Sequence, residues 1–306
     1  MSFDIEKIAL DLKQIRADIE KAKKYDDFES LGNLLEKEAN LKLELAKYYK
    51  NTTDNNLHIV SLAEAIDEYK NMPKKPKYST AIEAIDKNLE GGFEMAQMVV
   101  FAGEKGAGKT LITNQILYNI SAGFKTLIFS LEMPRWKITE RFLKKNPSGK
   151  ILNNLKIADK KFTLSQIENI IRVESKNGTR FFVIDSLMKI QTDKSYRSIS
   201  EKYSEISNTI SRLAIENEVL IFLIAQMSKE DIKNKNLALK NSGDIEYDAD
   251  IIFYLKKDKD NKNKRILICD KNRQNGNEFS EELYIDKDQL KFNSVIVEEV
   301  YKDEWV

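Results

Sequence analysis

Apolar residues along the chain follow two different periods, and the change of period divides it. Ile5, Ile8, Leu12, Ile15, Ile19 and Ala22 recur every three or four positions, which places them on one narrow stripe of a helix. Leu31, Leu34, Leu41, Leu45 and Tyr48 form a second such stripe. Tyr25, Asp26 and Asp27 lie between, where an aspartate breaks one helix and caps the next. The pattern predicts a helical hairpin over residues 1–50, with little core of its own. Residues 51–77 read as a linker that carries one helix. The run Asn51 to Asn56 is polar, Leu62, Ala65, Ile66 and Tyr69 share a face between Ser61 and Met72, and Pro73 and Pro76 end that helix. From Tyr78 the apolar residues come in blocks: Met98–Ala102, Thr126–Leu131, Phe181–Ile184, Val219–Ala225, Ile251–Leu255 and Ile266–Cys269. Helical patterns separate the first five. Near-continuous apolar strands alternating with helices predict an α/β domain over residues 78–306, a mainly parallel twisted sheet with helices on both faces. The closely spaced segments Leu283–Ile285 and Leu290–Phe292 predict antiparallel strands at its end.

Composition narrows the chemistry. The 306 residues are 42% hydrophobic, enough for a full core, and 50 Lys and Arg stand against 49 Asp and Glu. A net charge of +1 excludes a coat of basic residues as the driver of nucleic-acid binding, although a local basic loop remains open. His58 and Cys269 are each the sole residue of their type, which excludes an internal disulfide and a Cys/His zinc site. Cys269 ends an apolar run and reads as a buried strand residue. No apolar stretch is long enough to span a membrane, and MSFDIEKIAL lacks the basic start of a signal peptide. The expectation is a cytoplasmic protein. The charged run Lys256 to Arg265 reads as a solvated turn.

The strongest motif is Gly103-Glu104-Lys105-Gly106-Ala107-Gly108-Lys109-Thr110, a P-loop. Its glycines let backbone N–H groups turn inward around phosphates. Its lysine meets the β and γ oxygens, and its hydroxyl holds Mg²⁺. A strand precedes the loop and a helix from Leu111 follows, adding its dipole to the anion site. Phe181 to Ile184 followed by Asp185 supplies the acid that such a loop needs to direct Mg²⁺. Glu132 stands just past the strand Thr126–Leu131, which is expected beside the P-loop strand, so that Glu132 faces the γ-phosphate and activates water; a glutamate at a helix start reads the same way. Gln226 ends the strand Val219–Ala225, where an amide can sense a γ-phosphate or simply cap a strand. Lys229, Lys233, Lys235 and Lys240 then give the polar stretch after Met227 a positive bias.

Three further motifs give these residues a common setting. Phe129–Pro134 (FSLEMP), Ser242–Ile252 (SGDIEYDADII) and Lys271–Gly276 (KNRQNG), in that order, resemble motifs of the DnaB-type replicative helicases, and Thr80–Phe93 resembles the stretch before their P-loop. The similarity runs over roughly residues 60–295. It implies a RecA-like P-loop ATPase domain that binds ATP and Mg²⁺ through residues 103–111, the last being Leu111. Lys109 and Thr110 would serve the phosphates and Mg²⁺, with Asp185 as the second metal residue. Glu132 would be the catalytic carboxylate and Gln226 the sensor. Lys271 and Arg273 would reach the ATP of a neighbouring subunit; without the resemblance Arg273 reads as a surface residue on a turn. The resemblance also implies a homo-oligomer, a hexameric ring threaded by single-stranded DNA with 5′–3′ polarity. Two loops would touch the strand, one near 192–202 with Lys194 and Arg197, one near 228–241 with Lys229, Lys233 and Lys235. The helix Ser61–Met72 would dock on the adjacent subunit.

Departures bear on function. The family's N-terminal domain is much longer than residues 1–50, so contacts to a primase, a loader or a host helicase rest on the hairpin alone. Glu104 and Lys105 stand where relatives often carry Arg-Pro, and Ser186 stands where a Tyr is usual. The expected function is an ATP-dependent DNA helicase or translocase in replication of a bacterium, phage or mobile element. The alternative is a nucleotide-switched loading or regulatory partner that does not itself unwind DNA. A filament-forming recombination ATPase is disfavoured by KNRQNG.

Overall fold

The computed structural model describes residues 5–24, 28–53, 60–72, 75–226 and 243–294. The chain divides into two compact units, Met1–Lys74 and Lys75–Val306. In the first, helices α1 (Ile5–Lys24) and α2 (Phe28–Thr53) pair as a hairpin. Leu12, Ile19 and Ala22 are buried on the seam. Arg16 and Lys42 both reach Glu38, at 3.0 and 2.8 Å, and their hydrogen bonds hold its carboxyl below the usual range. Helix α2 continues to Thr53, past the expected boundary at residue 50, because no Gly or Pro stops it there. Residues 25–27, 54–56 and 73, and the side chains of Ile5, Ile8, Leu45 and Tyr48, lie outside the described residues. Helix α3 (Leu62–Asn71) starts at a Ser61–Glu64 capping box and buries none of its side chains; Leu62 and Tyr69 are 77% and 80% exposed.

The second unit is built on one nine-stranded sheet. After α4 (Glu83–Asn88) come β1 (Gln97–Gly103), α5 (Lys109–Ile120), β2 (Lys125–Ser130), α6 (Arg135–Leu143), α7 (Ile151–Asn154), β3 (Leu155–Ala158), α8 (Leu164–Lys176) and β4 (Thr179–Asp185). Then follow α9 (Ile199–Glu216), β5 (Leu220–Ile224), α10 (Gly243–Asp248), β6 (Ile251–Lys257), β7 (Lys264–Asn272), β8 (Phe279–Asp286) and β9 (Lys291–Ser294). The strand order is β3-β2-β4-β5-β1-β6-β7-β8-β9. The first six are parallel, and β7, β8 and β9 add an antiparallel meander. The apolar blocks are continuous because both faces of the strands are covered. Val99 and Phe101 point into one core layer with Ile112 and Ile116 of α5. Met98, Val100 and Ala102 point into the other with Ile167 of α8 and Ile210 of α9. Strand β3 escapes the sequence reading because it is a four-residue edge strand, only half buried, with a lysine in it.

Two expectations are corrected. The strand leading to Glu132, β2, does not lie beside the P-loop strand. It pairs with β3 and β4, and β4 and β5 separate it from β1. Nor is the run Lys256 to Arg265 solvated throughout. Arg265 is only 7% exposed, because strand alternation puts it on the core face with Leu267 and Cys269. Cys269 is buried, and burial pushes its thiol up to about 12, far from reactive.

Candidate active site

The carboxyl ends of β1, β4 and β5 converge on one cleft of about 340 Å³. The phosphate loop enters it from β1. At Gly103 (φ +150°) a Cβ would stand 2.4 Å from the Leu255 carbonyl oxygen. At Gly108 (φ +107°) a Cβ would stand 2.8 Å from the Phe292 ring. Both positions therefore demand glycine, for conformation and for space. Lys105, Gly106, Gly108, Lys109, Thr110 and Leu111 line the cleft. Gly103, Glu104 and Ala107, also in the loop, do not line it.

Lys109 opens α5 and is 6% exposed. Its ammonium donates to the carbonyls of Gly103 (2.8 Å) and Glu104 (2.9 Å). Burial pulls its pKa down, and the charges of Asp185, Glu132 and Glu104 oppose that. The Thr110 hydroxyl donates to Asp185 Oδ2 at 2.7 Å. Asp185 ends β4 and is 3% exposed. Desolvation raises its pKa from 3.8 to about 6, helped by Glu132 and opposed by the Thr110 hydrogen bond and by Lys109.

Glu132 reaches the cleft despite the strand order, because it lies beyond the end of β2, where the chain turns toward β4. Leu131 N–H donates to the Asp185 carbonyl at 2.7 Å. Ser186 Oγ donates to Glu132 Oε1 at 2.8 Å. Gln226 also lines the cleft, just past β5. Two contributors escape the sequence reading. Ser186 orients the Glu132 carboxylate. Arg141, on α6 nine residues after Glu132, brings a cation to the cleft wall and bears electrostatically on Asp185. Its only sequence signal is its place beside Phe142 on the buried edge of α6. A larger hollow of about 550 Å³ opens beside Lys144, Lys145 and Lys291, but no carboxylate and no loop residue lines it.

Lys271 and Arg273 stand elsewhere. Lys271 pairs with Ile252 near the start of β6, whereas Gly103 pairs with Leu255 near its end. Arg273 N–H donates to Asp250 O at 2.8 Å. Five strand residues, roughly 16 Å, separate that level from the loop. Both side chains donate to the last carbonyls of α10: Lys271 to Glu246 and Tyr247, Arg273 to Tyr247 at 2.7 Å. Cations there answer the negative end of a helix. The Arg273 side chain is 51% exposed and faces Asp250 at 3.9 Å. Of the loop residues, Lys194 is paired with Glu205 at 2.8 Å and Arg197 is exposed; Lys229, Lys233, Lys235 and Lys240 lie outside the described residues.

The cleft fits a nucleotide triphosphate with Mg²⁺. The N–H groups of Gly106 and Gly108 have no partner among the described residues, and Lys109 lines the same cleft. Thr110 and Asp185 would be the protein's share of a metal shell, the small share that Mg²⁺ takes beside phosphate oxygens. Keeping Asp185 ready has a cost. Its folded pKa lies above its unfolded one, so the folded carboxyl favours the proton. That preference stabilises the fold fully below about pH 4 and is lost as pH rises through about 6. Above that, the ligand-free fold carries a desolvated carboxylate at a cost of about 3 kcal/mol. Asp185→Asn is therefore expected to stabilise the ligand-free chain at pH 8, by about 1–3 kcal/mol, with a smaller gain at pH 5. Denaturant melts at the two pH values check this, and Mg²⁺-dependent nucleotide affinity is lost in the same variant.

A strand-loop-helix phosphate cradle, an acid at the end of β4, one strand removed from β1, and a carboxylate opposite define a P-loop nucleotide-binding domain. The family model for the DnaB-like helicase C terminal domain matches residues 78–151 and 149–294, and the chain belongs to that family. It is 27% identical over 243 residues to the replicative DNA helicase DnaB of Geobacillus stearothermophilus, covering 67% of this chain and 54% of that protein. It is 26% identical over 201 residues to the DNA repair protein RadA of Pseudomonas aeruginosa, covering 65% and 41%. The chain spans about half the length of the curated relatives it matches. Among solved structures, a DnaB-like replicative helicase, in a study of its interactions with primase, superposes with a TM-score of 0.67 at 19% identity, over 94% of this chain and 77% of that one. A solved ATPase domain gives 0.66 at 21% identity over 78% and 99%. These likenesses confirm the RecA-like fold and the membership expected from the motifs. No described helix is long and apolar enough to cross a membrane.

Proposed function

We propose that the chain is an ATP-driven motor on single-stranded DNA, a replicative helicase of a bacterium, phage or mobile element that works in the cytoplasm. One observation carries this reading: the cleft holds the proposed hydrolytic groups except a trans cation, while Lys271 and Arg273 sit toward the other end of the strands, level with the start of β6. A second copy is then needed to bring them to the phosphates, and a closed ring of six, by likeness to the family, satisfies every site at once. The exposed apolar face of α3 would seat each subunit on the next.

Within a site, the loop N–H groups and Lys109 bind and orient the phosphates. Thr110 and Asp185 would hold Mg²⁺, which would offset the negative charge of the phosphates. Glu132, held by Ser186, takes the proton of the attacking water. Arg273 from the neighbour spreads positive charge over the transferring group, so turnover depends on assembly. Gln226 senses the γ-phosphate and passes its state to residues 227–241. Lys229, Lys233 and Lys235 there, with Lys194 and Arg197, would grip the DNA backbone, moving along it 5′ to 3′. Residues 1–50 would meet a primase, a loader or a host helicase.

The test is steady-state ATP hydrolysis against protein concentration, with and without single-stranded DNA. A rate per subunit that rises with concentration and is stimulated several-fold by DNA is expected. A slow rate indifferent to both overturns the reading in favour of a nucleotide-switched helicase partner.

A further inference from the structure

A phosphate loop works only if its peptide groups are turned the right way. In a trans peptide the C=O of one residue and the N–H of the next point in opposite directions. Aiming an N–H into the cleft therefore sends the preceding carbonyl backwards into the protein, where it needs a donor. Two such carbonyls matter here. That of Lys105 precedes Gly106 and that of Ala107 precedes Gly108, the glycines that line the cleft.

Both carbonyls are met by one β-hairpin. Lys257 Nζ donates to Lys105 O at 2.7 Å. Arg265 Nε donates to Ala107 O at 2.8 Å, in a buried hydrogen bond. Lys257 and Arg265 are direct cross-strand partners on β6 and β7. The Arg265 guanidinium is itself fixed, since Nη1 donates to Lys262 O at 3.0 Å and Lys264 O at 2.6 Å. The contact reaches one residue further, because Lys257 N–H donates to Glu104 Oε1 at 3.3 Å and the two side chains pair at 3.8 Å. The carbonyls of Gly103 and Glu104 are bonded by Lys109, which must release them when it turns to phosphate. The hairpin bonds do not involve the Lys109 ammonium, so its turn to phosphate does not require their release.

We propose that Lys257 and Arg265 are positioning residues of the nucleotide site: they hold the carbonyls of Lys105 and Ala107 outward and so aim the N–H groups of Gly106 and Gly108 at the phosphates. The proposal rests on the reading of the cleft as an ATP site. It predicts an effect on affinity rather than on the chemical step, because neither side chain touches the reacting atoms.

The experiment uses the full chain, with Arg265→Met, Arg265→Lys and Lys257→Met as variants. Equilibrium binding of a fluorescent ADP and the ATP dependence of hydrolysis are read for each. Losing the Arg265 bond is expected to weaken ADP and raise KM for ATP about tenfold, with a much smaller change in kcat. Arg265→Lys, which keeps one donor, recovers part of the loss. Lys257 is largely at the surface, so Lys257→Met leaves folding intact and is expected to weaken ADP about threefold. It carries the test if Arg265→Met does not fold. ADP affinity unchanged in Lys257→Met and in any folded Arg265 variant overturns the proposal. So does a fall in kcat with KM unchanged. A parent chain that binds no ADP overturns the ATP-site reading instead, which keeps the two failures apart.

Discussion

Replacing Glu132 with Gln is expected to lower ATP turnover about a thousandfold while nucleotide still binds within about threefold of the parent affinity. The amide keeps the size of the side chain and can still accept the Ser186 hydrogen bond, which is 2.8 Å long. It cannot take a proton from water. The split between lost turnover and kept binding is what separates a base from a residue that merely shapes the pocket. Ser186→Ala makes a graded companion. It leaves the carboxylate in place but frees its rotamer, so a loss of about tenfold in kcat is expected, since misplacing a reacting group by a fraction of an ångström already costs rate. Single-turnover hydrolysis alongside equilibrium binding reads both quantities. If Glu132→Gln turns over at the parent rate, the assignment fails, and Asp185, the other acid in the cleft, becomes the group to test.

The parts of this site that are legible in sequence are those where chemistry forces residue type. Gly103 and Gly108 must be glycine because a Cβ at either would collide with Leu255 or Phe292, and such necessity leaves a mark at fixed spacing. Asp185 is legible because four apolar residues before an acid describe a buried strand reaching a polar edge. The sheet is legible for the same reason. What stays hidden is spatial order. Nothing in Thr126–Leu131 tells that β4 and β5 come between it and β1, and Glu132 reaches the cleft by a turn after the strand rather than by adjacency. In sequence Ser186 is only a departure from family habit; in the fold its hydroxyl sits on Glu132. Arg265 misleads because charge density in Lys256–Arg265 masks the period-two alternation that buries it beside Leu267 and Cys269. A charged run is a solvated turn only where alternation does not carry one of its members inward.

Arg273→Ala is expected to cost at least a thousandfold in DNA-stimulated ATP turnover, the scale on which a trans arginine acts on phosphoryl transfer. The decisive form of the experiment mixes two inactive proteins. Arg273→Ala keeps an intact cleft and lacks the finger; Lys109→Ala keeps the finger and lacks the loop cation. If the arginine acts within its own chain, no mixture can assemble a working site. If it acts across the interface, a cleft from the first variant beside a finger from the second is complete. Random assortment of equal amounts makes about one interface in four complete, so up to a quarter of the parent rate per site returns. Topology favours the second outcome. Arg273 is level with Asp250 at the start of β6, while the phosphate loop pairs with the end of that strand, and no side chain spans the roughly 16 Å between. Within its own chain the guanidinium rests on the Tyr247 carbonyl at the end of α10, beside Asp250. These contacts keep the cation presented at the surface, where the next subunit's phosphates could claim it. Under the proposed assembly, recovery should also vanish on dilution, as subunits separate. A mixture as inert as its components would sink the trans assignment and, with it, the argument that turnover waits for the ring.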